Sequence, residues 1–152
     1  MLVQTRSARH FTALGRIAAA LIATTFTACH GPCPTEHVPA TSAIGPYSAA
    51  VAAGDLVFLA GKIGLPAVSF GEEVAHAIDA IEADLARLEL TLADVVSVNV
   101  FVTDLAKFGE LNDVYAARFP EPWPARTTVG VAALPKGAQV ELQAVARRRQ
   151  TD

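Results

Sequence analysis

The sequence predicts an α+β domain: one β-sheet with two amphipathic helices on the same face. Three observations carry this reading. Apolar residues recur at helical spacing in two separate stretches, β-branched runs bounded by turn signals flank them, and no repeat of solenoid type runs along the chain. The chain has 152 residues, 52% hydrophobic and 18% charged, which suits a single core of that kind.

The first residues do not fit the domain. Arg6, Arg9 and Arg16 precede the apolar run Ile17–Ala28, which is too short to span a bilayer and has the layout of a secretory signal peptide. It ends in Phe26-Thr-Ala-Cys29, similar to the lipobox of bacterial lipoproteins, although Phe26 stands where leucine is usual. The expectation is a signal peptide over 1–28, lipidation of Cys29, a membrane tether and an exported, periplasmic protein. Plain secretion after Ala28, or a misassigned start of a cytoplasmic protein, stay open. The formal charge is −3, and removing 1–28 takes away three arginines and no acid, leaving −6. An acidic domain without a basic stripe is a poor nucleic-acid binder. Arg147-Arg148-Arg149 reads as the start of a solvated tail, with 149–152 outside the domain. Cys29 and Cys33 with His30 and His37 match no standard zinc spacing, so no metal is expected.

Residues 29–43, rich in Pro, Thr and Ser, read as a tether, and the domain as 44–148. Tyr47–Ile63 gives two short strands around the turn dipeptide Gly54-Asp55. Ser69 with Glu72 makes a capping box. Val74, Ile78, Ile81, Leu85 and Leu88 then mark one helix face, with Glu73, Glu82 and Arg87 largely off it. The stretch Asp94–Asp104 is β-branched on both alternating sets except at Ser97 and Asn99 and reads as a central strand. Thr103 or Asp104 caps a second helix with Phe108, Leu111, Tyr115 and Phe119 on its buried side. Pro120-Glu-Pro-Trp-Pro124 breaks it. Pro124–Ala146 then reads as a hairpin, giving the order β-β-α-β-α-β-β. The chain holds no further element to cover the second sheet face, so self-association is the economical solution.

That last hairpin carries Arg126 and Glu141. A turn near Pro135-Lys136 puts both on one face, with Glu141 opposite Gly130 and roughly 13 Å from Arg126. Gly130 then leaves room beside Glu141, and the two charges stand at the ends of one cleft or are bridged across a subunit boundary.

Four blocks resemble the RidA/YjgF family in the same order: Ala43–Ser48, Gly54–Gly64, Phe101–Tyr115 and Pro124–Ala146. The resemblance runs from about Ile44 to Arg148. It implies a chorismate-mutase-like fold, a homotrimer and ligand clefts between subunits. It also implies hydrolysis of 2-aminoacrylate- or 2-iminobutanoate-type carboxylates to 2-keto acids and ammonia, without metal or cofactor. By the same resemblance Arg126 holds the substrate carboxylate and Glu141 attends the attacking water. Tyr47, Gly61, Lys62, Asn112 and Thr128 fall at positions lining the cleft. The sequence departs from common members at Ala60, Lys62 and Thr128 and in a shorter Lys62–Ser69 loop, which bears on substrate identity. A non-catalytic trimer binding small carboxylates is the alternative; nuclease activity fits badly with a charge of −6.

The chemistry agrees with these residue types. Arginine's planar fork donates two parallel bonds to a carboxylate and keeps its charge. A carboxylate can accept a proton from water, while protonating a leaving amine requires a raised pKa. The structural alternatives are an ion pair at a strand start for Arg126 and a surface charge for Glu141. Packing would explain Tyr47, a backbone hydrogen bond Asn112, and strand propensity Lys62 and Thr128.

Overall fold

The computed structural model describes residues 35–41 and 44–148; the predicted leader, Cys29, Cys33 and the 149–152 tail lie outside them. In chain order the elements are β1 (Thr35–Pro39), β2 (Ser48–Ala53), β3 (Leu56–Leu59), β4 (Lys62–Ile63), α1 (Phe70–Ala86), β5 (Val95–Val102), α2 (Phe108–Arg118), β6 (Ala125–Gly130) and β7 (Val140–Arg147). They form the expected α+β fold, with seven strands in one sheet.

Strand order is β1-β2-β3-β7-β5-β6, and the short β4 pairs with β7 alongside β3. Every neighbouring pair is antiparallel except β5–β6, which is parallel. The β2–β3 hairpin turns at Gly54, whose φ of 60° is easy only for glycine. Side chains alternate across the sheet. Val57, Leu59, Val98, Val100, Leu142 and Ala144 fill the side under the helices and are fully buried or nearly so. On the opposite side Phe58 and Val129 remain about two-fifths exposed, and Asn99 Nδ2 donates to Gln143 Oε1 at 3.3 Å.

Helix α1 begins where the capping signal predicts. Ser69 Oγ accepts from the Glu72 N–H at 3.1 Å, and Glu72 Oε2 accepts from the Val68 N–H at 2.6 Å. Val74, Ile78, Ile81 and Leu85 are fully buried on its inner face, each worth about 1.5–3 kcal/mol of transfer free energy. Asp104 caps the turn before α2 by accepting from the Ala106 N–H at 2.9 Å. Arg118 of α2 ties the helices together by donating to Asp79 and to Glu82 (2.7 Å) on α1.

Five expectations are corrected. The tether of 29–43 contains a strand: β1 is built by backbone pairing at the sheet edge and buries only Val38, so it carries almost no hydrophobic signal. Glu73 is not off the helix face but 1% exposed, because β7 supplies donors for it. Phe108 is exposed at the start of α2 instead of buried. Arg147 ends β7, and Arg148 is no free tail: its N–H donates to Asp55 O at 2.8 Å and its guanidinium pairs with Glu36.

The fifth correction concerns the hairpin. β6 and β7 do not pair; β5 lies between them, because a helix separates β5 from β6 and lets them run parallel. Arg126 is in register with Val98, which faces Ala144, both on the helix side. Glu141 is in register with Phe101, which faces Val129, on the opposite side. Arg126 and Glu141 therefore lie on opposite faces of the sheet, not on one.

Candidate active site

Arg126 sits on the edge strand β6, where α2 crosses its face. Its Nη2 donates to Asn112 Oδ1 at 2.6 Å, and its guanidinium lies 4.6 Å from the ring centre of Tyr115 and 5.6 Å from that of Phe108. Asn112 and Tyr115 are three residues apart, so they share one side of α2. The aromatic faces favour a cation at these distances. A cavity of about 270 Å³ opens beside it, lined also by Ala116, Trp123 and Pro124. No acidic side chain pairs with Arg126 among the described salt bridges. This is an arginine arranged with donors to spare at the mouth of a half-apolar hollow.

Thr128 shares Arg126's face two residues along β6, and its Oγ1 is buried without a hydrogen-bond partner among the described residues. The Tyr115 hydroxyl is in the same position, buried and without a partner. Burial pushes its pKa up to about 12, with the Arg126 charge pulling the other way. Near neutrality it is a neutral phenol, able to donate and unable to act as a base.

Glu141 belongs to a second hollow, of about 250 Å³, on the other side of the sheet. Tyr47, Gly61, Ala60, Ile44 and Pro135 stand around it. Gly61 falls in the gap between β3 and β4, and a Cβ there would lie 1.9 Å from Glu141 Oε1. Glycine at 61, not at 130, gives the glutamate its space; a Cβ on Gly130 would instead press Leu105 at 3.1 Å. Tyr47 is 46% exposed, with its hydroxyl 3.5 Å from the Ile44 N–H.

Lys62 lines a hollow of about 250 Å³ together with Ile44, Tyr47 and Gly61. It is in register with Leu142, and its ammonium pairs with Asp84 on α1, which Arg87 Nη1 also contacts at 3.3 Å. Its charge is neutralised on the helix side. Within one chain the structure thus brings together Arg126, Asn112 and Thr128 in one group and Tyr47, Gly61 and Glu141 in another. Tyr115, Trp123 and Phe108 belong to the first group and were not foreseen as site residues. The spacing of Asn112 and Tyr115, and a lone tryptophan between prolines, were the available signals.

A larger hollow, about 590 Å³, lies elsewhere, at the C-terminal end of α1. Its two arginines are engaged within the chain: Arg148 by Glu36, and Arg87 by Asp84 and Pro39 O. Among the described residues no group of three His, Cys, Asp or Glu side chains is placed to hold a metal ion.

Comparison with known proteins gives the same picture along the whole domain. The family described as Endoribonuclease L-PSP matches residues 37–148. The 2-iminobutanoate/2-iminopropanoate deaminase of Dermatophagoides farinae is 38% identical over 109 residues, covering 67% of this chain and 85% of the relative. The crystal structure of RidA from the Antarctic bacterium Psychrobacter sp. is 36% identical with a TM-score of 0.67, covering 77% of this chain and 98% of that one. E. coli TdcF, solved with bound serine, is 32% identical with a TM-score of 0.68, covering 78% and 99%. Proteins of this family are generally homotrimers. A domain matched from β1 to the end of β7, in sequence and in fold, belongs to the RidA/YjgF family.

Proposed function

We propose that this protein is a homotrimeric deaminase that hydrolyses imines conjugated to a carboxylate, of the 2-iminobutanoate type, to 2-keto acids and ammonia. The observation that carries the reading is Arg126: a guanidinium over the Tyr115 ring, steadied by Asn112, with no acidic partner among the described residues and a cavity beside it. Such a group recognises a carboxylate in two parallel hydrogen bonds. The deaminase relative and the serine-bound neighbour support a small amino-acid-like carboxylate as ligand.

Arg126 and Glu141 lie on opposite faces of one sheet, so a cleft using both takes them from two subunits. That proteins of the family are generally homotrimers supports such a shared cleft. With the carboxylate on Arg126, Glu141 of the adjoining subunit holds a water against C2 of the iminium. The water oxygen bonds to C2, the C=N π pair moves to nitrogen, and Glu141 takes one proton from the water. Glu141 returns that proton to the amine of the carbinolamine. The C–N bond then breaks as an oxygen lone pair forms C=O, and the hydroxyl proton leaves with the nitrogen as ammonium. Iminium plus water becomes keto acid plus ammonium, and no step calls for a metal or cofactor. Positioning supplies most of the acceleration, on the order of 7–11 kcal/mol in the best intramolecular cases.

The test is hydrolysis of enzymatically generated 2-iminobutanoate by the purified protein and by Arg126→Ala. Loss of the bidentate carboxylate contact predicts a fall of about 10²–10³-fold in kcat/KM. Undiminished turnover in Arg126→Ala removes the mechanism. Carboxylate binding without turnover in the wild type would favour a binding protein instead.

A further inference from the structure

Glu73 is the most deeply buried charged side chain among the described residues, and both its oxygens are engaged on the two residues before Glu141. Oε1 accepts from the backbone N–H groups of Gln139 at 2.6 Å and Val140 at 3.2 Å. Oε2 accepts from Gln139 Nε2 at 3.1 Å. Gln139 Oε1 in turn accepts from Lys107 Nζ, and the Thr103 N–H donates to Gln139 O at 3.0 Å. The result is a chain of cation, amide and anion, in which the charges at either end dictate which way the amide of Gln139 faces.

Nothing about helix α1 requires a carboxylate at this place. Burying one costs several kcal/mol unless it is fully bonded, and an alanine or leucine would fill a helix face more cheaply. The helix also comes very close here: a Cβ on Gly64 would lie 1.7 Å from the Glu73 carbonyl oxygen. Glu73 is thereby set against the first residue of β7. Glu141 is the next residue, and its carboxylate has little latitude beside Gly61, whose absent Cβ would fall 1.9 Å from Oε1.

We propose that Glu73 is a positioning residue for Glu141. By holding the amides of Gln139 and Val140 it sets where β7 begins, and so aims Glu141 into the hollow shared with Gly61 and Tyr47. The proposal rests on the reading of Glu141 as the residue that handles water. It assigns to the Lys107–Gln139–Glu73 chain the task of keeping that carboxylate in register.

The experiment compares the full chain with Glu73→Ala, Glu73→Gln and the double variant Glu73→Gln/Gln139→Glu. It measures kcat and KM for the imine, together with amide hydrogen exchange over residues 138–142. In Glu73→Ala, kcat falls by about 10²-fold, as a misplacement near 1 Å can cause, while KM stays within about threefold. Exchange at Gln139 and Val140 accelerates. Glu73→Gln keeps the acceptor for both amides but sets NH₂ against NH₂ at Gln139, giving an intermediate loss. The double variant restores kcat. Its carboxylate at 139 accepts from Lys107 and from the new amide, whose oxygen still serves the backbone.

Wild-type kcat in Glu73→Ala, or a double variant no better than Glu73→Gln alone, overturns the proposal. If the wild type shows no imine turnover, the deaminase reading fails separately, and unchanged exchange at Val140 in Glu73→Ala then overturns the positioning role by itself. Should Glu73→Ala not fold, Glu73→Gln against the double variant decides the matter.

Discussion

At the scale of single residues, Tyr115 carries the sharpest consequence. Its ring supports the Arg126 guanidinium at 4.6 Å, while its buried hydroxyl has no partner among the described residues. Burial raises its pKa from 10 to about 12. Between those values the folded chain keeps a proton that the unfolded chain has lost, so stability is fully present below pH 10 and falls as pH rises to about 12. Two units correspond to roughly 2–3 kcal/mol. Tyr115→Phe keeps the ring and removes the titration. Urea unfolding at pH 7 should find the variant within about 1 kcal/mol of wild type, since an unpartnered buried hydroxyl contributes little. At pH 11.5 the gap should shift in the variant's favour. An identical alkaline decline in both proteins would mean that Tyr115 is not the group responsible.

Between elements, paired strands can hide one charge and present another. In β4, Lys62 turns toward α1 and pairs with Asp84, while Ile63 is in register with Glu141 on the far side. Their side chains are 16% and 11% exposed for Lys62 and Asp84, enclosed enough for the pair to matter. Arg87 still contacts Asp84 in its absence, so Lys62→Ala should cost about 1–3 kcal/mol rather than the full penalty of a stranded buried charge. KM for the imine should change less than twofold, unlike that of Arg126→Ala. A large rise in KM at unchanged stability would give the Lys62 charge a part in holding the substrate carboxylate. Element by element, the two helices, their starts and the Gly54 turn were legible because each writes its signal locally: a period near 3.6, a cap, a positive φ. The partner of β6 was not. Alternation says which residues share a face only after the neighbouring strand is known, and the second helix, although read as a helix, does not say by its own pattern that it crosses over to make β5 and β6 parallel. β1 was missed for a related reason, since a polar edge strand is held by its backbone. Glu73 was misplaced because its burial is set by donors at Gln139 and Val140, 66 and 67 positions away.

For the whole molecule, that error of pairing changes what a site is. Had Arg126 and Glu141 shared a hairpin face, one chain could have held substrate and water together. On opposite faces they need a neighbour, and the residues named from the resemblance divide: Arg126, Asn112 and Thr128 on one side, Tyr47, Gly61 and Glu141 on the other, with Lys62 beside Tyr47 and Gly61 but paired with Asp84. Trimers mixed from Arg126→Ala and Glu141→Ala chains test this directly. Each variant alone should be nearly inactive. After unfolding and refolding together in equal amounts, a cleft is intact when its arginine comes from a Glu141→Ala chain and its glutamate from an Arg126→Ala chain. Random assembly makes that about one cleft in four, so the mixture should recover about a quarter of wild-type activity per cleft. Mixing without refolding should recover far less, because subunits must exchange first. A refolded mixture as inactive as its components, with trimers demonstrated by sedimentation, would place both groups of a working site in the same chain and end the shared-cleft mechanism.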